Sequence, residues 1–180
     1  AERERGDDAT AFRHHASSLD RFRALGLQED TARQLSNIGL AYQGLGRYRD
    51  ADAAYTEALT ISRDRGDTWT RLMVEVNRVA LLIAQWDSAA ARNVCDRILL
   101  EAGAIQETRL LAETYKHCGV IARETGSLTE ADGYLRMAYE QAIKREDLLL
   151  AAETAREQAE LFLELGRNRE TLQSPSTSHR

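Results

Sequence analysis

The 180-residue sequence is poor in proline, which breaks helices, and in cysteine, which forms the disulfides of small domains. Its single proline, Pro175, lies near the C-terminus, so almost the whole chain is free to form uninterrupted helix. It has two cysteines, Cys95 and Cys118, which excludes a disulfide-rich scaffold. Its longest run without a charged residue, positions 34–46, contains polar residues, which excludes a membrane span of ~20 apolar residues.

Basic residues are fewer than acidic residues. The 24 Lys and Arg residues are outnumbered by 29 Asp and Glu residues, which gives a net charge of −5 and argues against a nucleic-acid partner. The content of 43% hydrophobic and 29% charged residues is that of a globular protein, and the wealth of Ala, Leu, Arg and Glu favours helix. Because the first residues include no apolar stretch typical of a signal peptide, we expect a cytoplasmic protein.

The chain contains an internal repeat of about 40 residues. Gly46 and Gly126 lie 80 positions apart, and the segments that follow them, 46–51 and 126–131, both end in an acidic residue and an alanine. Between the glycines, apolar residues recur at the 3.6-residue spacing of amphipathic helices. This pattern predicts helices at about 8–25, 29–44, 48–65, 68–84, 87–102, 106–125, 128–145 and 148–165, with the start of another near 167–173. Asp67 or Thr68 is expected to cap the fourth helix.

Part of this pattern resembles the tetratricopeptide repeat family, whose repeat pairs a Leu-Gly-x2-Tyr motif with Ala-x3-Phe. The matching residues are Leu35, Ile38, Gly39 and Tyr42, followed by Ala51, Tyr55 and Ala58. A second set is Tyr115, Cys118 and Gly119, followed by Ala131, Leu135 and Ala138. The period of ~40 exceeds the usual 34, and is similar to the long-helix variety of bacterial regulatory proteins.

The resemblance implies an all-α fold, a right-handed superhelical α-solenoid of about eight helices in antiparallel pairs. We expect a single domain over residues 1–173, followed by a disordered tail at 174–180. Its units are a half repeat at about 8–25, full units at 29–65, 68–102 and 106–145, and a partial unit at 148–173.

The resemblance also implies a concave groove lined by the first helix of each pair. Placed relative to the motif glycine, the candidate groove residues are Arg33, Asn37, Leu40, Arg71, Val74, Arg78, Lys116, His117, Arg123, Glu157 and Glu160. They predict a basic early end, an acidic late end and apolar residues between, a chemistry that suits an extended or helical peptide. We expect His117 to be exposed, and Trp69 and Trp86 to pack at helix ends.

The sequence contains no arrangement of residues typical of an active site. The four histidines lack the spacing of metal ligands, and the two cysteines are expected to be buried apolar residues rather than nucleophiles. The sequence therefore predicts no enzyme, no catalytic residue, no cofactor and no metal site.

The leading functional hypothesis is a scaffold that binds a peptide or helix of a partner protein in the groove. The alternative is a sensory or regulatory segment of a larger bacterial signalling protein, whose cyclic-nucleotide, kinase or transcription output lies outside this chain. Because the first helix lacks a partner helix, self-association through its open apolar face, which includes Phe12, Leu19 and Leu25, is a further expectation.

Overall fold

All regular secondary structure in the described part of the chain is α-helical. The structure, a computed structural model, describes residue 14 and residues 17–173, with side chains as far as residue 166. The predicted all-α class is therefore confirmed for these residues. A first helix, α1, covers residues 17–24. It is followed by α2 (Gln28–Gly44), α3 (Tyr48–Asp64), α4 (Thr68–Ala84), α5 (Ser88–Ala104), α6 (Thr108–Glu124), α7 (Leu128–Lys144) and α8 (Leu148–Gln173).

The helices recur with a strict spacing. Each helix from α2 to α7 has 17 residues. Their starts are evenly spaced along the chain and fall at Gln28, Tyr48, Thr68, Ser88, Thr108 and Leu128. One helix pair with its turns therefore occupies about 40 residues, which confirms the period read from the glycines. Within each unit the turns are short, and short turns favour an antiparallel arrangement of successive helices.

A residue in the left-handed conformation ends most of these helices. Glycine fills this position at Gly46 and Gly126, with φ of 72° and 81°, as the sequence predicts. Trp86 stands at the same position after α4 with φ 62°, and its side chain is 81% exposed. The expectation that Trp86 packs at a helix end is wrong, because the turn directs this side chain away from the core. At the preceding turn Asp67 caps α4 as expected, since its side chain accepts a hydrogen bond from the Thr70 amide at 2.9 Å.

The chain divides into two compact units, Ala1–Ala102 and Gly103–Arg180. In the first unit, α2 packs on α3 and α4, and α3 packs on α4. Leu35 and Ile38 of α2 join Tyr55 of α3 and Leu81 of α4 in one buried cluster. In the second unit, α7 packs on α6 and α8, and α6 also contacts α8.

A glycine lets the two helices of a pair approach closely in each unit. A side chain at Gly39 would overlap the ring of Tyr55, which is completely buried in α3. At the equivalent place in the second unit, a side chain at Gly119 would lie 2.6 Å from Leu135 Cγ on α7. These two contacts explain why the motif holds glycine, since any Cβ there would force the paired helices apart.

The last helix differs from the prediction of an end at residue 165. α8 continues through Gly166 to Gln173 as a helix of 26 residues. Glycine permits a left-handed helix end but does not impose one. Residues 167–173 include a single leucine, so they offer no apolar face that would stabilise a turn back onto α8.

The N-terminal end has one covered and one open apolar residue. Leu19 of α1 is buried in the first unit's core cluster, against the expectation that it is half covered, whereas Leu25 is 70% exposed. An open pocket of about 310 Å³ lies where α1, α2 and α3 meet. Phe12 and the predicted tail at 174–180 lie outside the described residues. No helix in the part of the chain described here is long and apolar enough to cross a membrane.

We predict that the close contact at Gly39 makes alanine destabilising there. Gly39→Ala should lower the free energy of unfolding by about 1–3 kcal/mol, because the buried Tyr55 ring must move. The measurement is urea denaturation followed by circular dichroism.

Gly133→Ala is the matched control for this experiment. Gly133 lies within α7, and a Cβ there meets no atom within 4 Å. Alanine at this position should raise stability by about 0.5–1 kcal/mol through helix propensity. Equal effects of the two substitutions would contradict the role assigned to Gly39.

Candidate functional site

In the first unit, the face of α2 that points away from α3 lies beside α4. Two contacts join the helices: the Asn77 side-chain amide donates a hydrogen bond to Ser36 Oγ at 2.9 Å, and the Arg33 guanidinium lies 5.5 Å from the centre of the Trp69 ring. We call this the α2/α4 surface, defined by Arg33, Asn37, Leu40 and Trp69 together with Asn77.

Two residues of the α2/α4 surface, Asn37 and Leu40, present uncharged groups to solvent. Leu40 is 42% exposed, and Asn37 is partly exposed. Both are on the opposite side of α2 from the buried Leu35 and Ile38, as the helical period requires. Asn37 makes no hydrogen bond to any residue that the structure describes, so its amide is free to donate and to accept.

The exact period corrects the positions predicted on α4. Because α2 begins at Gln28 and α4 at Thr68, the counterpart of Asn37 is Asn77. The predicted register of the second unit is two residues early, which led to Arg71, Val74 and Arg78. The signal that would have identified Asn77 was present, since asparagine recurs at this spacing.

Val74 does not line an open groove. It has no exposed surface and belongs to the core cluster of the first unit, beside Tyr55 and Leu81. Its prediction as an exposed groove residue is wrong. The offset from which it was chosen, three residues before the motif glycine, is a core position, since Ser36 and Val76 at the correct register are also buried.

Arg71 and Arg78 form ion pairs with the second helices of the pairs. Arg71 pairs with Glu75 on its own helix and with Glu101 on α5, and only 17% of its side chain is exposed. Arg78 Nη2 lies 2.9 Å from Asp52 Oδ1 on α3. These carboxylates compensate the positive charge on which the predicted basic end depended.

In the second unit, charged candidates join α6 to α8. Lys116 pairs with Glu153, and the Arg123 guanidinium lies 3.1 Å from Glu157, 3.0 Å from Glu160 and 2.8 Å from Glu164. Arg123 and Glu157 are largely buried. The predicted acidic end therefore meets a cation of the same unit, and these ion pairs hold the two helices together.

His117 is more enclosed than the sequence suggested. Part of the residue is accessible, but its Nδ1 atom is buried and has no hydrogen-bond partner among the described residues. Burial lowers the pKa of His117 to about 3, and the neighbouring charge of Lys116 contributes to the decrease. The imidazole is therefore neutral throughout the physiological range.

We predict that His117 makes the protein less stable in mild acid. The unfolded imidazole has an ordinary pKa near 6.5 and binds a proton as the pH falls below that value, whereas the folded imidazole stays neutral down to about 3. The free energy of unfolding should decrease between pH 7 and 5 by a larger amount in the native chain than in His117→Asn. Urea denaturation at both pH values measures this, and equal decreases would contradict the enclosed imidazole.

The described residues contain no group of three His, Cys, Asp or Glu side chains placed to hold a metal ion. Cys95 and Cys118 are both buried, as expected of small core residues.

Part of the chain is similar to a known protein family. Residues 1–64, which include α2 and α3, match the sequence model described as tetratricopeptide repeat. No curated protein matches the chain. Tetratricopeptide repeats commonly mediate protein–protein interactions, and the family is a non-catalytic one. The match covers residues 1–64, and over this segment the chain is similar to the tetratricopeptide repeat family. The evenly spaced helices of the described residues agree with that likeness.

Proposed function

We propose that this chain is a non-enzymatic, cytoplasmic scaffold that binds a peptide or helix of a partner protein on the α2/α4 surface. The observation that carries the proposal is a pair of amides beside an exposed leucine. Asn37, Asn77 and Leu40 are uncharged and accessible to different degrees, on the side of α2 and α4 away from the second helices.

The chemistry of this surface favours contact with both backbone and side chains of a partner. An asparagine amide donates two hydrogen bonds and accepts others, so it pairs with the N–H and C=O groups of an extended peptide. Leu40 offers apolar area that a partner side chain removes from water.

Arg33 adds a charged group at one end of the surface, against Trp69. Its side chain is 44% exposed and pairs with Glu29 on the same helix. An exposed pair of this kind contributes little free energy, so the guanidinium remains available to a partner carboxylate.

The other charged candidate residues are expected to contribute less to partner binding. Arg71, Arg78, Lys116 and Arg123 already contact carboxylates of the chain, so a partner would have to replace those contacts to use them. Exchange of one ion pair for another yields little net free energy. We therefore infer that binding depends more on amide and apolar contacts than on a polarised groove.

The regulatory alternative, in which this chain serves a larger bacterial signalling protein, uses the same surface. It differs in the output that the bound partner controls, and that output lies outside these residues.

We predict that Leu40→Asp weakens binding of peptides that the native chain selects from a random displayed library. Loss of the apolar contact should reduce affinity at least about tenfold, because burial of a leucine side chain contributes about 1.5–3 kcal/mol. Fluorescence polarisation with the selected peptides measures the dissociation constants.

Leu100→Asp is the matched control, with the same change of charge and size. Leu100 lies on α5, a second helix, and is 76% exposed. Its substitution should leave affinity unchanged. Peptides that bind Leu40→Asp as well as the native chain, or lose equal affinity for both variants, would exclude the α2/α4 surface as the binding site.

A further inference from the structure

In the first unit, one buried carboxylate forms ion pairs with three arginines. Glu75 of α4 is 2% exposed, and its oxygens lie 3.5 Å from Arg63 Nη2 of α3, 3.4 Å from Arg71 Nη1 and 3.2 Å from Arg97 Nη2 of α5. The cluster lies where the second helices α3 and α5 meet α4, away from the α2/α4 surface. It is separate from the site of the proposed function.

The equivalent positions of the preceding repeat, 40 residues earlier, hold residues of different charge. One helix pair earlier, Leu35 occupies the position of Glu75, and Arg23 of α1 pairs with Glu57 of α3. Forty residues later, Arg63 stands at the position of Arg23 and Arg97 at the position of Glu57. The later repeat therefore has two cations where the earlier one has a cation and an anion. Like charges brought together repel unless an anion lies between them.

Glu75 supplies only part of the required negative charge. Arg71 also pairs with Glu101, so the cluster has three positive and two negative groups, a local excess of one positive charge. In addition, Arg63 and Arg97 form no hydrogen bond to any described residue, and their side chains are 57% and 47% exposed. Each guanidinium therefore has N–H donors that face solvent.

We propose that Arg63 and Arg97 bind a phosphate group on the face formed by α3 and α5. Both guanidinium groups contact one carboxylate, which places them close enough for the oxygens of a single phosphate to accept hydrogen bonds from both. The planar fork of arginine suits this geometry. The phosphate comes from free phosphate or from a phosphorylated residue of a partner.

The experiment is a titration of the ¹⁵N-labelled chain with inorganic phosphate, followed through the arginine Nε–Hε signals. Sodium chloride at matched ionic strength is the reference, since a general salt effect moves both titrations alike. We expect saturable shifts of the Arg63 and Arg97 signals with phosphate alone. A phosphoserine peptide and its unphosphorylated form make up the second arm: tighter binding of the phosphopeptide than of phosphate assigns the source to a phosphorylated partner.

Three variants make the outcome decisive. Arg63→Gln combined with Arg97→Gln should weaken phosphate binding at least about tenfold. Arg49→Gln combined with Arg136→Gln, which alters two exposed arginines that form no ion pair with Glu75, should leave it unchanged. Glu75→Gln should strengthen binding severalfold, because it removes the competing carboxylate and keeps the shape. Circular dichroism verifies that each variant retains its helical content.

Two results would overturn the proposal. One is a phosphate titration that matches chloride in both the native chain and Glu75→Gln, which would leave the arginines with the role of neutralising Glu75 alone. The other is equal phosphate affinity in the two double variants, which would show that binding follows net charge and not this cluster.

Discussion

The close contact between the two helices of a pair is the constraint on which the rest of this structure depends. Gly39 leaves room for the ring of Tyr55, and Gly119 leaves room for the side chain of Leu135. The absence of a side chain at these two positions allows α2 to pack closely on α3, and α6 on α7. That contact buries one side of the first helix and fixes which residues face the opposite side. Asn37 and Leu40 are accessible because Leu35 and Ile38 are committed to the core. The position of the proposed binding surface thus follows from packing.

Charge has a different role in this chain from the one its sequence suggests. Arg78 and Arg123 both contact carboxylates of neighbouring helices. Each of these cations is therefore compensated by a carboxylate of its own unit. The uncharged residues Asn37 and Leu40 of the α2/α4 surface and the surplus positive charge around Glu75 depart from this pattern, and each is the basis of one proposal.

The sequence predicted the helices well and the site less well, for a physical reason. Apolar periodicity and turn glycines are local signals, and they located every helix start from α2 to α8 within two residues. Exposure depends on register, and an error of two residues on α4 placed the counterpart of Asn37 at the buried Glu75 instead of at Asn77. The ion pairs of Arg123 join residues more than 30 positions apart, and only the packed helices bring them together. Helix α8 ran past Gly166 because no apolar face follows it.

The most direct test of the central claim is a map of amide shifts in the ¹⁵N-labelled native chain on addition of a library-selected peptide. The account predicts that the largest perturbations cluster at Asn37, Leu40 and Asn77, with little change along the outer sides of α3 and α5. Perturbations confined to those second helices would contradict it.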